Sequence, residues 1–185
     1  YWNLFGELGN EIDLFAREEW KNVGFQNKDP SSDFRGGGYM ALKNLLSFVE
    51  EEKELTKIMC IEQNEFFLAI TSINVTMFLK NFFGVLKGIK TLTCTPSELK
   101  RFARWLRISD SPEKLHHILL KDVFWSYLLR KKNNPQFVIM QFNEIFLSVQ
   151  KIFEKILKMR SCQEFKSFIT IYQMRLDSLE IACRK

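Results

Sequence analysis

Glycine and proline are scarce in this chain, 8 and 4 among 185 residues. So few turn-formers leave little room for the many tight connections of a β-sandwich or barrel. No segment alternates apolar and polar residues well enough to be a strand. Histidine is scarcer still. His116 and His117 are the two present, and neighbours on a helix point about 100° apart. They make no two-histidine metal site and no Ser-His-Asp or Cys-His catalytic set. The cysteines, Cys60, Cys94, Cys162 and Cys183, are far apart with no C-x-x-C pair. That spacing fits reduced thiols of an intracellular protein, not a disulfide framework. No apolar run approaches the ~18 residues that span a bilayer, and no signal-peptide pattern is visible. The expectation is a cytoplasmic domain, residues 1–185, excised from a longer protein because it opens on Tyr1 and not on Met.

What is present is apolar bulk. Hydrophobic residues make up 46% of the chain, and 18 of them are Phe, enough to build a packed core. The fold class this implies is all-α, a single compact domain of about seven or more helices. Net charge is +5 but unevenly spread. Residues 1–65 carry 7 basic and 13 acidic groups, net −6; residues 80–132 carry 12 and 4, net +8; residues 133–185 carry 8 and 5, net +3. A basic helical stretch is either a solvated face or a surface for an anionic membrane. Nucleic acid is not expected there, because the Phe and Trp of 80–132 fall on apolar stripes instead of interleaving with the cations.

Those stripes place the helices. Ile12, Leu14, Phe15 and Trp20 predict one near 10–22. Tyr39, Leu42, Leu45, Leu46 and Phe48 predict a second over 38–51, and Phe66, Phe67, Ile70, Ile73, Met77 and Phe78 a third over 64–83. Asn74-Val75-Thr76 fits a glycosylation sequon but lies within that third stripe, which marks it as packed helix. Thr95-Pro96-Ser97-Glu98 opens a short helix carrying Leu99, Phe102, Trp105 and Leu106. Ser111-Pro112 opens another with Leu115, Ile118, Leu119, Val123 and Tyr127 inward. Pro135 marks the start of a long one over 136–160, and Phe165, Phe168, Ile169, Tyr172, Leu176 and Leu179 mark a last one over 162–182.

Between the first two helices lies a different kind of segment. Residues 24–38 hold four of the eight glycines and Pro30, and read as a long Gly-rich loop without helical character, a class of connection that is often functional. It is not a nucleotide-binding P-loop, since no Gly-Lys-Ser/Thr follows and no strand precedes it. Phe25 and Phe34 can pin it to the body, and Gly36, Gly37 and Gly38 permit close backbone approach. Arg35 has two readings. It projects outward as a permanently charged, bidentate donor suited to phosphate oxygens, or it pairs with Asp29 or Asp33 and stiffens the turn.

Taken together, Trp20-x-x-x-Gly24-Phe25-Gln26 and Asp29-Pro30-x-x-Asp33-Phe34-Arg35-Gly36-x-Gly38 strongly resemble the ELMO-domain signature. The likeness continues through Leu42-x-x-Leu45-Leu46-x-Phe48 and Phe67-Leu68-Ala69-Ile70-Thr71-Ser72-Ile73-Asn74-Val75-Thr76, and the ends of the chain match as well. The departures are small: Asn27-Lys28 where a Gly usually follows the Gln, and Ser32 in place of a Thr.

The resemblance implies a division of labour within the family. Members that keep the Arg of Asp-Phe-Arg-Gly accelerate GTP hydrolysis by small GTPases of the Arf and Arf-like group; members that lack it are scaffolds for Rac exchange factors. Arg35 places this chain with the first kind, a GTPase-activating protein whose Arg35 enters the partner's site as a finger. The alternative is a non-catalytic module that binds a GTPase or an exchange factor. On this reading Asp29 and Asp33 fix the loop through backbone N–H groups, and Gln26 stabilises the turn, or orients the attacking water or Arg35. Trp20, Phe25 and Phe34 pack beneath it. No cofactor is expected, GTP and Mg²⁺ belonging to the partner, and peripheral contact with an anionic membrane falls to residues 80–132.

Overall fold

Each apolar stripe read downstream of residue 38 folds as an α-helix, because a 3.6-residue period presents one apolar face for burial. The computed structural model describes residues 18–61, 65–83, 95–108, 110–134, 136–137 and 142–184. Two 3₁₀-helices come first, η1 (Glu18–Val23) and η2 (Pro30–Arg35). They are followed by α1 (Gly38–Glu51), α2 (Lys53–Met59), α3 (Leu68–Phe82), α4 (Pro96–Trp105), α5 (Ser111–Asn133), α6 (Phe142–Lys158) and α7 (Phe165–Arg184). Among the described residues there is no strand, and no helix is long and apolar enough to cross a membrane. The fold is all-α.

Several expectations need correction. The helix near 10–22 lies mostly outside the described residues, and its described end, Glu18–Val23, is 3₁₀. Residues 24–38 are not free of helix. Asp29 caps a six-residue 3₁₀-helix with Pro30 at its start, since proline's fixed φ suits the first helical turn and its missing N–H is no loss there. Gly38 is already the first residue of α1. Phe67 precedes α3 and is largely exposed, whereas Phe66 is buried. The long helix expected from Pro135 begins at Phe142, and Gln136 lies in a turn. The stripe reading missed α2, where Thr56 and Met59 alone are buried, too few positions to show a period.

Residues up to Met77 pack as one compact unit and those from Phe78 onward as another, the boundary falling inside α3. In the first unit, α1 buries Ala41, Asn44, Leu45 and Phe48. Asn44 Nδ2 donates to Thr76 Oγ1 at 3.0 Å, and that hydroxyl donates to Ser72 O at 3.1 Å, so the buried amide joins α1 to α3 with its donor satisfied. Asn74 is exposed while Thr76 is fully buried. Burial pushes the Cys60 thiol up to about 11, which keeps it protonated and unreactive near neutrality.

In the second unit α5 lies against α6 and α7. Phe153 of α6 meets Phe78, Phe82, Phe168 and Tyr172 with ring centroids 5.5–6.1 Å apart, mostly edge to face, the geometry ring quadrupoles favour. The α5 residue Asp122 is fully buried and is bonded from two helices. Arg175 Nε and Nη2 each donate to it at 2.8 Å, Tyr172 Oη at 2.6 Å, and Ser126 Oγ at 3.0 Å. Burial, then the Asp122 charge and hydrogen bond, hold the Tyr172 hydroxyl well above its ordinary range.

Arg101, one of the cations of the basic stretch, is not free to meet a membrane. Its Nη2 donates to Leu157 O at 2.9 Å, one of the carbonyls left open at the end of α6, and its guanidinium lies 5.3 Å from the Phe102 ring centroid. Lys100 and Arg104 of the same helix are exposed. Arg101→Gln is therefore expected to lower the melting temperature, whereas Lys100→Gln and Arg104→Gln leave it within a degree; thermal melts of the three variants check this.

Candidate functional site

The segment from Trp20 to Tyr39 is built around two carboxylates that its own N–H, hydroxyl and amide groups occupy. Asp29 Oδ1 accepts from Ser31 N at 2.9 Å and Oδ2 from Ser31 Oγ at 2.8 Å. Its carbonyl accepts from Ser32 Oγ at 2.9 Å. This is an Asx cap on η2, and the Ser31 hydroxyl, then the Ser31 N–H, hold the exposed Asp29 carboxyl below its ordinary value. Asp33 Oδ2 accepts from Gln26 N at 2.8 Å, and its Oδ1 from Asn27 Nδ2 at 3.3 Å. Gln26 thus contributes its backbone, its side chain being exposed. Asn27 Nδ2 also donates to Ser32 Oγ at 3.1 Å, tying the entry of the segment to η2.

Beneath, an aromatic ladder anchors the segment. Trp20 meets Phe25 at 5.7 Å and 89°, and Phe25 meets Phe34 at 5.7 Å and 63°. Trp20 and Phe25 are buried and Phe34 partly so. Gly24 fixes where the ladder starts. Its φ is +90°, and a Cβ there would stand 2.6 Å from Phe67 Cα and 2.7 Å from Leu68 N. Its carbonyl accepts from Ile70 N at 3.2 Å, so the chain crosses the start of α3 at backbone contact. Gly24→Ala is expected to destabilise the protein by about 2–3 kcal/mol, from the left-handed backbone and from a clash with main chain that cannot step aside. Chemical denaturation measures it.

The three glycines after Arg35 differ from one another. A Cβ on Gly37 would overlap the Ala41 side chain one helical turn on. Gly38 has φ +61° and nothing within 4 Å of its Cβ position, while at Gly36 the nearest atom would be Met77 Sδ at an ordinary 3.5 Å. The first unit's own packing thus demands Gly37, whereas beside Gly38 the space is open.

Arg35 is exposed. Its Nε donates to Ser32 O at 2.9 Å, which clamps the root of the guanidinium to the last turn of η2. Among the described residues neither terminal nitrogen has a hydrogen-bond or ion-pair partner; Asp29 and Asp33 are bonded to Ser31, Gln26 and Asn27 instead. What remains is a pre-oriented pair of N–H donors carrying a full positive charge. His116 and His117 are both buried, with ring centroids 5.8 Å apart. No group of three His, Cys, Asp or Glu that could hold a metal occurs among the described residues. Cys60, Cys162 and Cys183 are free, and Cys94 lies outside the described residues.

One exposed residue beside this site was placed wrongly from sequence. Tyr39, which extends the apolar stripe of α1 in the sequence, is 79% exposed. The inward face of α1 runs through Ala41, Asn44, Leu45 and Phe48, which turns position 39 outward.

Residues 7–156 match the model of the ELMO/CED-12 family. Among curated proteins of Dictyostelium discoideum, the ankyrin repeat and ELMO domain-containing protein D is 40% identical over 74 residues, 38% of this chain and 6% of that protein. ELMO domain-containing protein B is 37% identical over 67 residues, 35% of this chain and 24% of that protein; protein C is 32% identical over 66, 36% and 11%. The match thus covers a quarter or less of each relative. No solved structure matches the chain. The chain belongs to the ELMO/CED-12 family.

Proposed function

Given that membership, we propose that this chain is a GTPase-activating module for a small GTPase of the Arf or Arf-like group, with Arg35 as the residue it inserts in trans. The observation that carries this reading is the state of Arg35: exposed, clamped at Nε, and open at both terminal nitrogens while two nearby carboxylates are occupied elsewhere. GTP hydrolysis spreads negative charge over the transferring phosphoryl group, and a cation aimed at those oxygens is worth roughly 10³–10⁵ in rate. In this reading Asp29 and Asp33 hold η2 in shape and Gly38 leaves room for the partner's backbone. Trp20, Phe25 and Phe34 carry the segment on the body. GTP and Mg²⁺ come with the partner. The test is single-turnover GTP hydrolysis by a panel of purified Arf and Arf-like proteins with this chain added. Acceleration of at least one member supports the reading; nucleotide-independent binding without acceleration of any would assign the chain to the scaffold kind.

The same reading puts the partner on a membrane and the basic stretch against it. With Arg101 committed to Leu157, Lys100 and Arg104 are the α4 cations available. The double Gln variant is expected to lose about 1 kcal/mol of binding to phosphatidylserine vesicles per charge removed. Equal sedimentation of wild type and variant with vesicles at low salt would remove the membrane contact.

A further inference from the structure

Tyr39 stands out on the face of α1 that carries Lys43 and Glu50, both exposed. A tyrosine ring held 79% in water hides little apolar area in the free chain, and such rings, apolar in body and polar at the tip, are the side chains that most often anchor a protein partner. Its surroundings favour that use. Between Arg35 and Tyr39 the chain holds three glycines, of which Gly36 and Gly38 are exposed. Gly38, at φ +61°, turns the chain into the helix with open space beside it. The chain thus presents an exposed guanidinium and an exposed aromatic ring four residues apart, with Gly36 and Gly38 exposed between them and Gly37 buried against Ala41.

Building on the GTPase-activating reading, we propose that Tyr39 is the docking anchor for the partner GTPase, seating on the protein surface that borders its nucleotide while Arg35 reaches the phosphates. Charge favours a protein occupant over a lipid one. Residues 1–65 carry net −6, which disfavours an anionic bilayer, while the open terminal nitrogens of Arg35 suit phosphate already enclosed in a partner. The two residues then have separate duties: Tyr39 contributes to the complex before and during reaction alike, and Arg35 contributes when charge develops.

The test is single-turnover hydrolysis measured against the concentration of this chain, for the GTPase it accelerates, with Tyr39→Ala, Tyr39→Phe and Arg35→Ala. Tyr39→Ala is expected to raise the half-saturating concentration roughly 30-fold and to recover most of the maximal rate at saturation, with an unchanged melting temperature. Tyr39→Phe stays within about threefold of wild type, because the ring carries the contact. Arg35→Ala does the reverse, losing rate and keeping affinity. Wild-type half-saturation by Tyr39→Ala overturns the docking role. So does a wild-type dimer in sedimentation that Tyr39→Ala makes monomeric, or vesicle binding that depends on Tyr39. Weakened binding by Tyr39→Ala together with an undiminished rate for Arg35→Ala keeps the docking role and discards the finger.

Discussion

Arg35→Ala is expected to abolish most of the GTPase acceleration, a loss on the order of 10³-fold or more in single-turnover rate, with the fold and the GTPase affinity largely intact. The side chain is exposed, and its one bond is to the Ser32 carbonyl within the same turn, so little stability is at stake. Arg35→Lys is expected to fail nearly as badly. An ammonium keeps the charge, but it has no Nε to bond Ser32 O while two further donors point onward. Loss confined to the chemical step is the mark of an interaction made in the transition state alone. The paired readings are melting temperature, affinity for the GTP-bound partner and hydrolysis rate on the same two variants. A structural Arg35 would lower all three together.

The largest expected loss of stability lies far along the chain. Asp122→Ala should destabilise the protein by about 3–5 kcal/mol, because it strands the partly buried Arg175 guanidinium and orphans the Tyr172 hydroxyl among apolar neighbours. For Arg175 itself, burial works against the charged form, and the Asp122 bond and charge outweigh it. Replacing both partners is a different matter. The double variant Asp122→Leu with Arg175→Met removes the charges along with the need to pair them, and is expected to recover most of the loss. Denaturant titration of the single and double variants separates the two outcomes; additive losses would show that the ion pair is not what the site depends on.

Those two predictions sit at opposite ends of what the sequence reveals. The helices of the second unit were legible because Phe153, Phe168, Tyr172 and their neighbours recur on a helical period, and period is what burial of one face selects. The pairing of Asp122 with Arg175 was not, since it joins positions 53 residues apart and leaves no local trace. The first unit shows the same division. Asp29-Pro30 and the glycine run mark an irregular, polar segment, yet a six-residue 3₁₀-helix has no 3.6 period to read, so η2 passed for loop. Tyr39 extends a stripe of Leu and Phe in the sequence, but the packing uses small Ala41 and polar Asn44 instead, the latter satisfied by Thr76 from another helix. Which N–H groups Asp29 and Asp33 accept from, and therefore that Arg35 is left open, depends on backbone angles no spacing rule supplies.

The claim that Arg35 acts on the transition state is tested most directly by binding, not by turnover. A small GTPase loaded with GDP and aluminium fluoride presents a mimic of the transferring phosphoryl group, and a group complementary to the transition state binds such a mimic far more tightly than the ground state. Wild-type chain should bind the GDP–aluminium fluoride form at least about a hundredfold more tightly than the GDP form, and Arg35→Ala should lose that difference while binding the GTP-bound form normally. Equal preference for the fluoride complex by wild type and Arg35→Ala would contradict the account.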